Sequence, residues 1–312
     1  MHYIFFGSSE FSQRVLANLV EAGKPPFLVI TTPAKAAGRK KNITPSAVQI
    51  YTEKIRIQTL APDNLKDKNF IEEFRNYKPD FVFLTAYGKI IPSVLLKIPS
   101  FGFLNLHPSL LPHFRGATPI QSVILAGEKE TGVTIFLMDE ALDHGPILFQ
   151  QKYKLEDKKI TAGELSEKLA DLGTELFLKN IAKWLKKEII PQPQNEAQAT
   201  YCSKIAAIDE RINWQREAET IERQVRALNP QPEALTFSSK GVIKILQGFS
   251  CEDSFLTLNK KPGETFIFEN KLAIKCGKGF YAVEKLKPAG KKIMPSNDFL
   301  LGNQWILKEI LS

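Results

Sequence analysis

Short, continuous apolar runs punctuate the first half of the chain, at His2–Phe6, Phe27–Thr32, Asp80–Ala86 (DFVFLTA), Phe101–Leu106 (FGFLNL) and Gly132–Met138 (GVTIFLM). A strand covered on both faces has no polar side to display, so these runs predict buried strands. The segments between them follow a different rhythm. In Glu10–Glu21, Phe11, Val15, Leu16, Leu19 and Val20 recur at helical spacing, and Gly23 predicts the stop. Phe70–Tyr77, Pro119–Ala126 and the long Ala162–Lys187 are predicted helices on the same grounds. Strands separated by helices predict a largely parallel α/β sheet with helices on both faces.

The rhythm changes at residues 191–199 (PQPQNEAQA), which are polar, contain two prolines and carry no large apolar residue. This stretch predicts a linker. Beyond it lies one helix, Ala218–Leu228, followed by short β-like runs at Ala234–Phe237, Val242–Gly248, Glu264–Phe268, Leu272–Lys275 and Tyr281–Leu286. Short strands at that spacing predict a small barrel or sandwich. The expected organisation is therefore an α/β domain over residues 1–189, a linker over 190–206 and a β domain over 207–312.

Composition narrows the function classes. Of 312 residues, 43% are hydrophobic and 24% charged, which excludes a disordered chain. The 42 Lys and Arg against 34 Asp and Glu leave a net charge of +8, compatible with a polyanionic partner without requiring one. Three scattered cysteines, Cys202, Cys251 and Cys276, fit neither a disulfide framework nor a zinc site. No run approaches membrane-spanning length, and the opening residues resemble a strand rather than a signal peptide, so a cytoplasmic location is expected.

Candidate chemistry concentrates in two segments. Residues 105–121 read NLHPSLLPHFRGATPIQ. Side chains two apart on a strand share a face, so Asn105 and His107 project together at its carboxyl end, the edge where open α/β sheets bind ligands. The Arg115-Gly116 loop follows. In the second segment, MDEALDHGP at 138–146, Asp139, Glu140, Asp143 and His144 follow a strand. A metal site would need a second histidine at ligand spacing, and none is there. A single carboxylate directed at the Asn-His pair is the better physics, because it can accept a proton or charge the imidazole. Gly7-Ser8-Ser9 supplies no G-x-G-x-x-G or Walker pattern, so a dinucleotide or nucleoside triphosphate is unsupported. The loop 33–45 (PAKAAGRKKNITP) carries Lys35, Arg39, Lys40 and Lys41 without an acidic residue, a composition suited to phosphates.

Taken together, NLHPSLLPHFRGATPIQ and TGVTIFLMDEALDHGPIL resemble the catalytic core of the folate-dependent formyltransferases. Further segments extend the likeness over nearly the whole chain: FFGSSEF, LTAYGKIIP, ATYCSKIAAIDERINW, VRALNPQPEA and EKLKPAGKKIMPSNDFLLG. The resemblance implies a Rossmann-like formyltransferase domain followed by a small OB-like β-barrel. It implies 10-formyltetrahydrofolate as formyl donor, no metal, and the amino group of initiator methionyl-tRNA as acceptor, on a monomer. Catalytic roles carry over to Asn105, His107 and Asp143. Folate contacts carry over to Ser109, Leu110, Leu111 and Pro112 and to the strand end at Tyr87, Gly88, Lys89 and Ile90. Contacts to tRNA carry over to Arg39, Lys40 and Lys41.

Four positions depart from the usual pattern, Ser8 and Ser9 in the opening turn, His144 after the acidic residue, and Gln231 in NPQPEA. None is a catalytic position. Relatives that use the same core on an amino-sugar nucleotide or on glycinamide ribonucleotide remain alternatives. The basic loop and the segments AIDERINW and KPAGKK favour tRNA, and the purine enzyme's likeness stops at the first domain.

Overall fold

The computed structural model describes residues 1–37, 42–253, 257 and 259–312. Arg39, Lys40 and Lys41 lie outside the described residues. The chain divides into two units, one made of residues 1–119, 130–154 and 166–202, the other of 120–129, 155–165 and 203–312. Residues 120–129 and 155–165, expected in the first domain, thus group with the second. Residues 190–202, expected in a linker, group with the first.

Seven strands build the sheet of the first unit: β1 (Tyr3–Phe6), β2 (Leu28–Ile30), β3 (Thr59–Leu60), β4 (Phe81–Leu84), β5 (Phe103–His107), β6 (Glu130–Leu137) and β7 (Ile147–Lys154). They lie in the order β7-β6-β5-β4-β1-β2-β3. The five strands from β5 to β3 are mutually parallel, while β6 and β7 run antiparallel to their neighbours. From β1 in the middle the chain builds outward to β3, then crosses back to β4 and β5 on the other side. Strand order therefore reverses between β1 and β4, the kind of position at whose carboxyl ends open α/β sheets bind ligands.

Both faces of this sheet are covered, as the apolar runs require. On one face Phe83 stacks on Phe177 of the helix Ala162–Leu185, ring centroids 4.0 Å apart. On the other, Phe6 and Phe103 pack against Phe74 of the helix Lys68–Asn76. The helix Glu10–Glu21 is set by its first residues. Ser9 caps it, accepting the Ser12 N–H at 3.2 Å, and the Ser12 hydroxyl donates to the Thr85 carbonyl at 2.7 Å. That bond fixes the helix start against the end of β4. Gly7 makes the approach possible, since a Cβ there would lie 2.6 Å from the Ser12 Cβ.

The helix Ala47–Ile55 and strand β7 are elements the apolar pattern does not mark. In β7 only the first residues, Ile147, Leu148 and Phe149, are apolar, and the rest (QQKYK) is largely exposed. An edge strand with one open side loses the signal that identifies a central one.

In the second unit, β8 (Ala234–Ser238), β9 (Gly241–Cys251), β10 (Thr265–Phe268), β11 (Lys271–Lys275), β12 (Phe280–Pro288) and β13 (Met294–Pro295) form an antiparallel sheet. Its order is β8-β9-β12-β11-β10, with β13 on β12. Residues 309–312 bridge the two edges. Phe237 and Ser312 exchange backbone hydrogen bonds of 2.7 and 3.1 Å, and Leu311 N–H donates to the Gly263 carbonyl at 2.8 Å. The helix Ala218–Ala227 presses Ile221 and Val225 onto Ile243, Ile245 and Val283. Among the described residues, no helix is long and apolar enough to cross a membrane.

Candidate active site

The period of two in β5 brings Phe103, Asn105 and His107 to one face, and the sheet carries the last two to its carboxyl edge. Both are buried. Each nitrogen of the His107 ring faces a group of the chain. Nε2 lies 2.9 Å from the Phe114 carbonyl, which can only accept, so Nε2 carries a proton. Nδ1 then faces the Asp143 carboxylate, with 3.7 Å between Nδ1 and Oδ2. A second proton on the ring would sit between the two groups.

Asp143 reaches this position from the loop after β6. Its backbone is left-handed, φ +48°, a conformation uncommon outside glycine. Its Oδ2 accepts the Gly116 N–H at 2.8 Å. Gly145, two residues on, packs against the end of β6, where a Cβ would lie 1.8 Å from the Leu137 carbonyl oxygen. Beside it His144 Nδ1 meets Asp139 Oδ2 at 2.5 Å, and Nε2 stands 3.6 Å from Glu196 Oε1.

Beneath the loop lies Arg115, 1% exposed. All five of its N–H donors are used. Nε and Nη2 donate to Gln194 Oε1 at 3.1 and 2.8 Å, and Nη1 and Nη2 donate to the two Glu196 oxygens at 2.9 and 2.6 Å. The remaining Nη1 proton goes to the Tyr201 hydroxyl at 3.2 Å. This bidentate pairing lowers the Glu196 pKa and raises that of Arg115. Gln194, Glu196 and Tyr201 are site residues that sequence reasoning missed. Their segment is polar and proline-containing, and periodicity gives no sign of what it touches.

The residues expected to meet folate are arranged unevenly. In the loop 109–112, the Ser109 hydroxyl donates to the His113 carbonyl at 2.6 Å, and Leu111 is buried. The loop is braced by Thr134, whose hydroxyl donates to the Ser109 carbonyl at 2.7 Å and accepts the Leu111 N–H at 3.1 Å. Leu110 lies over Gly132, and Pro112 is half-buried. The Tyr87 ring belongs to the core, 5.1 Å from Phe6. Lys89 donates to the carbonyls of Pro62 and Asp63 at 2.8 and 2.9 Å. Gly88 is left-handed at φ +82°, and Ile90 stands 90% exposed. Among the described residues, no group of three His, Cys, Asp or Glu side chains is placed to hold a metal.

Comparison with known proteins decides the family. Residues 1–181 match the family described as Formyl transferase, and residues 204–304 match Formyl transferase, C-terminal domain. The chain belongs to the formyl transferase family. Among relatives of this formyl transferase is the methionyl-tRNA formyltransferase of Thermodesulfovibrio yellowstonii, 38% identical and aligned over 96% of each chain. The protein of the same name from Enterococcus faecalis is 38% identical over 96% of this chain and 95% of its own.

Solved structures share the fold at lower identity. The N-formyltransferase of Helicobacter canadensis, in complex with folinic acid and dTDP-3-aminofucose, superposes with a TM-score of 0.61 at 20% identity. That match covers 91% of this chain and 98% of the other. HypX of Aquifex aeolicus, with tetrahydrofolic acid, reaches a TM-score of 0.66 at 19% identity, covering 96% of this chain and 47% of its own.

Proposed function

We propose that this formyl transferase moves the formyl group of 10-formyltetrahydrofolate to the α-amino group of initiator methionyl-tRNA, as a cytoplasmic monomer. One observation carries the proposal: relatives named for that reaction are 38% identical over 96% of the chain, a span that includes both units. The juxtaposition of Asn105, His107 and Asp143 at the carboxyl edge of the sheet agrees with it.

The residues present fit a folate donor. The left-handed turn at Gly88 and the uncovered Ile90 offer an apolar strand end. The Tyr87 hydroxyl is buried without a partner among the described residues. Because Ser109, Leu111 and the Tyr87 ring are packed inward, this region would clasp the pterin chiefly through backbone groups and Ile90. When bound, the donor supplies an electrophilic formyl carbon attached to N10.

Asn105 then has the simplest task. Its amide N–H donates to the formyl oxygen as charge builds there, an interaction whose loss typically costs 10²–10³ in rate. Both nitrogens of His107 face groups of the chain, so its part is the positive charge it lends beside Asn105 when protonated. Asp143 takes a proton from the attacking amine, directly or through a water, and passes it toward the leaving nitrogen. Arg39, Lys40 and Lys41 would meet phosphates of the acceptor stem, which positions the tRNA and weakens with salt.

The test is formyl transfer from 10-formyltetrahydrofolate by the purified chain to charged initiator tRNA. Free methionine, elongator methionyl-tRNA and an amino-sugar nucleotide run beside it. The proposal expects turnover on the initiator alone; preferred transfer to the amino sugar would refute it.

A further inference from the structure

We infer that Arg115 and Gln194 are positioning residues for formyl transfer, fastening the segment 194–202 under the catalytic loop so that it holds His107 and Asp143 in place. The inference rests on the formyl-transfer reading.

The first observation is the saturation of Arg115. Burying a guanidinium forfeits its hydration, a loss offset only when its donors are met by the protein. Here all five are met, and every partner comes from residues 194–201. A tether between domains has no need of so complete a fixture.

The second is the part played by Gln194. Its Oε1 accepts twice from Arg115, while its Nε2 donates to the Asp143 and Gly145 carbonyls, each at 2.8 Å. All of the amide's capacity is used, and its orientation follows: oxygen toward the cation, nitrogen toward the carbonyls. The Asp143 carbonyl is thereby held by a side chain from outside its own loop, at the residue whose backbone is left-handed.

The third is that the other attachments of the catalytic pair lead back to the same segment. The carboxylate of Asp143 is held by Gly116 N–H, and Arg115-Gly116 pairs in parallel with Tyr201-Cys202. His107 Nε2 is held by the Phe114 carbonyl, and Phe114 N–H donates to the Thr200 hydroxyl at 2.8 Å. Arg115 N–H donates to the Thr200 carbonyl, also at 2.8 Å. Loosening 194–202 would therefore release both members of the pair at once.

Gln194→Glu separates this role from folding. It keeps an acceptor toward Arg115 but removes the donor to the two carbonyls and places a second oxygen against them. The expected result is a 10- to 100-fold fall in kcat with KM for both substrates within twofold. The kcat–pH profile should be displaced and the thermal midpoint near wild type. Gln194→Leu, which loses both sides, should fall at least as far. The ¹⁵N resonances of the His107 ring should move in Gln194→Glu, a readout independent of turnover. Wild-type kcat in Gln194→Glu, a loss confined to KM, or unmoved His107 resonances would each overturn the inference. An inactive wild-type enzyme would instead count against the formyl-transfer reading, leaving the resonances to judge this one.

Discussion

Gly145→Ala tests whether the geometry around Asp143 is what the rate depends on. The added methyl would sit 1.8 Å from the Leu137 carbonyl oxygen, 3.0 Å from the Leu137 carbonyl carbon and 3.3 Å from the Asp139 nitrogen. These are backbone atoms that cannot rotate aside. Contacts under 3.0 Å are essentially unknown for a Cβ, so the loop must retreat by at least about 1.2 Å from the end of β6. Asp143 is two residues away on that loop, and its 3.7 Å approach to His107 moves with it. A displacement of about 1 Å in a reacting group costs on the order of 10² in rate.

The expected outcome is therefore a kcat lower by about 10²-fold, with KM for 10-formyltetrahydrofolate and tRNA changed by no more than about threefold. The overpacking itself should cost about 1–3 kcal/mol of stability. Steady-state kinetics in both substrates, beside a thermal unfolding curve, read these quantities. A folded Gly145→Ala with wild-type kcat would refute the reasoning, because the backbone clash would then be absorbed without moving Asp143.

Three further outcomes follow from the same structure. Asn105→Ala should lower kcat by about 10²–10³, and Asn105→Asp should do no better, since a carboxylate has no donor for the formyl oxygen; stopped-flow single turnovers check this. Phe177→Ala, which removes the ring stacked on Phe83, should cost about 3–5 kcal/mol in chemical denaturation.

Asp253 has its pKa lowered to about 2, first by its hydrogen bond to Lys275 and then by the Gly279 N–H. A depressed carboxylate stabilises above its unfolded pKa and loses that contribution as pH falls, here between about pH 4 and pH 2. Its side chain is 48% exposed, so solvent screening leaves about 1 kcal/mol at neutral pH. Asp253→Asn should lower the thermal midpoint at pH 7 and match wild type near pH 2; an equal difference at both pH values would contradict the assignment.

Parts of this chain were legible in one dimension. The central strands declare themselves because burial on both faces leaves them no polar residues. The helix Glu10–Glu21 declares itself because one buried stripe recurs at its own period. Asn105 and His107 could be paired from spacing alone, since neighbours two apart on a strand must share a face. Strand β7 escaped because its outer side is open, and its sequence, QQKYK, resembles a loop. The polar stretch around Gln194 and Glu196 escaped for a deeper reason. Its composition is that of a tether, and nothing local distinguishes a glutamine facing water from one holding a buried arginine.

Residue types and their order along the chain thus dictate which segments become strands and helices, and that an Asn-His pair stands at a strand end. These follow from short-range geometry and from the need to remove apolar surface from water. The tertiary structure decides everything that depends on residues distant in sequence. It sets Asp143 beside His107 across 36 positions and gives Arg115 partners some 80 residues away. It also turns 194–202 from an apparent spacer into part of the first unit. Hydrogen bonds carry no periodicity, so a partner that far along the chain leaves no local mark, and only the packed sheet brings the two ends together.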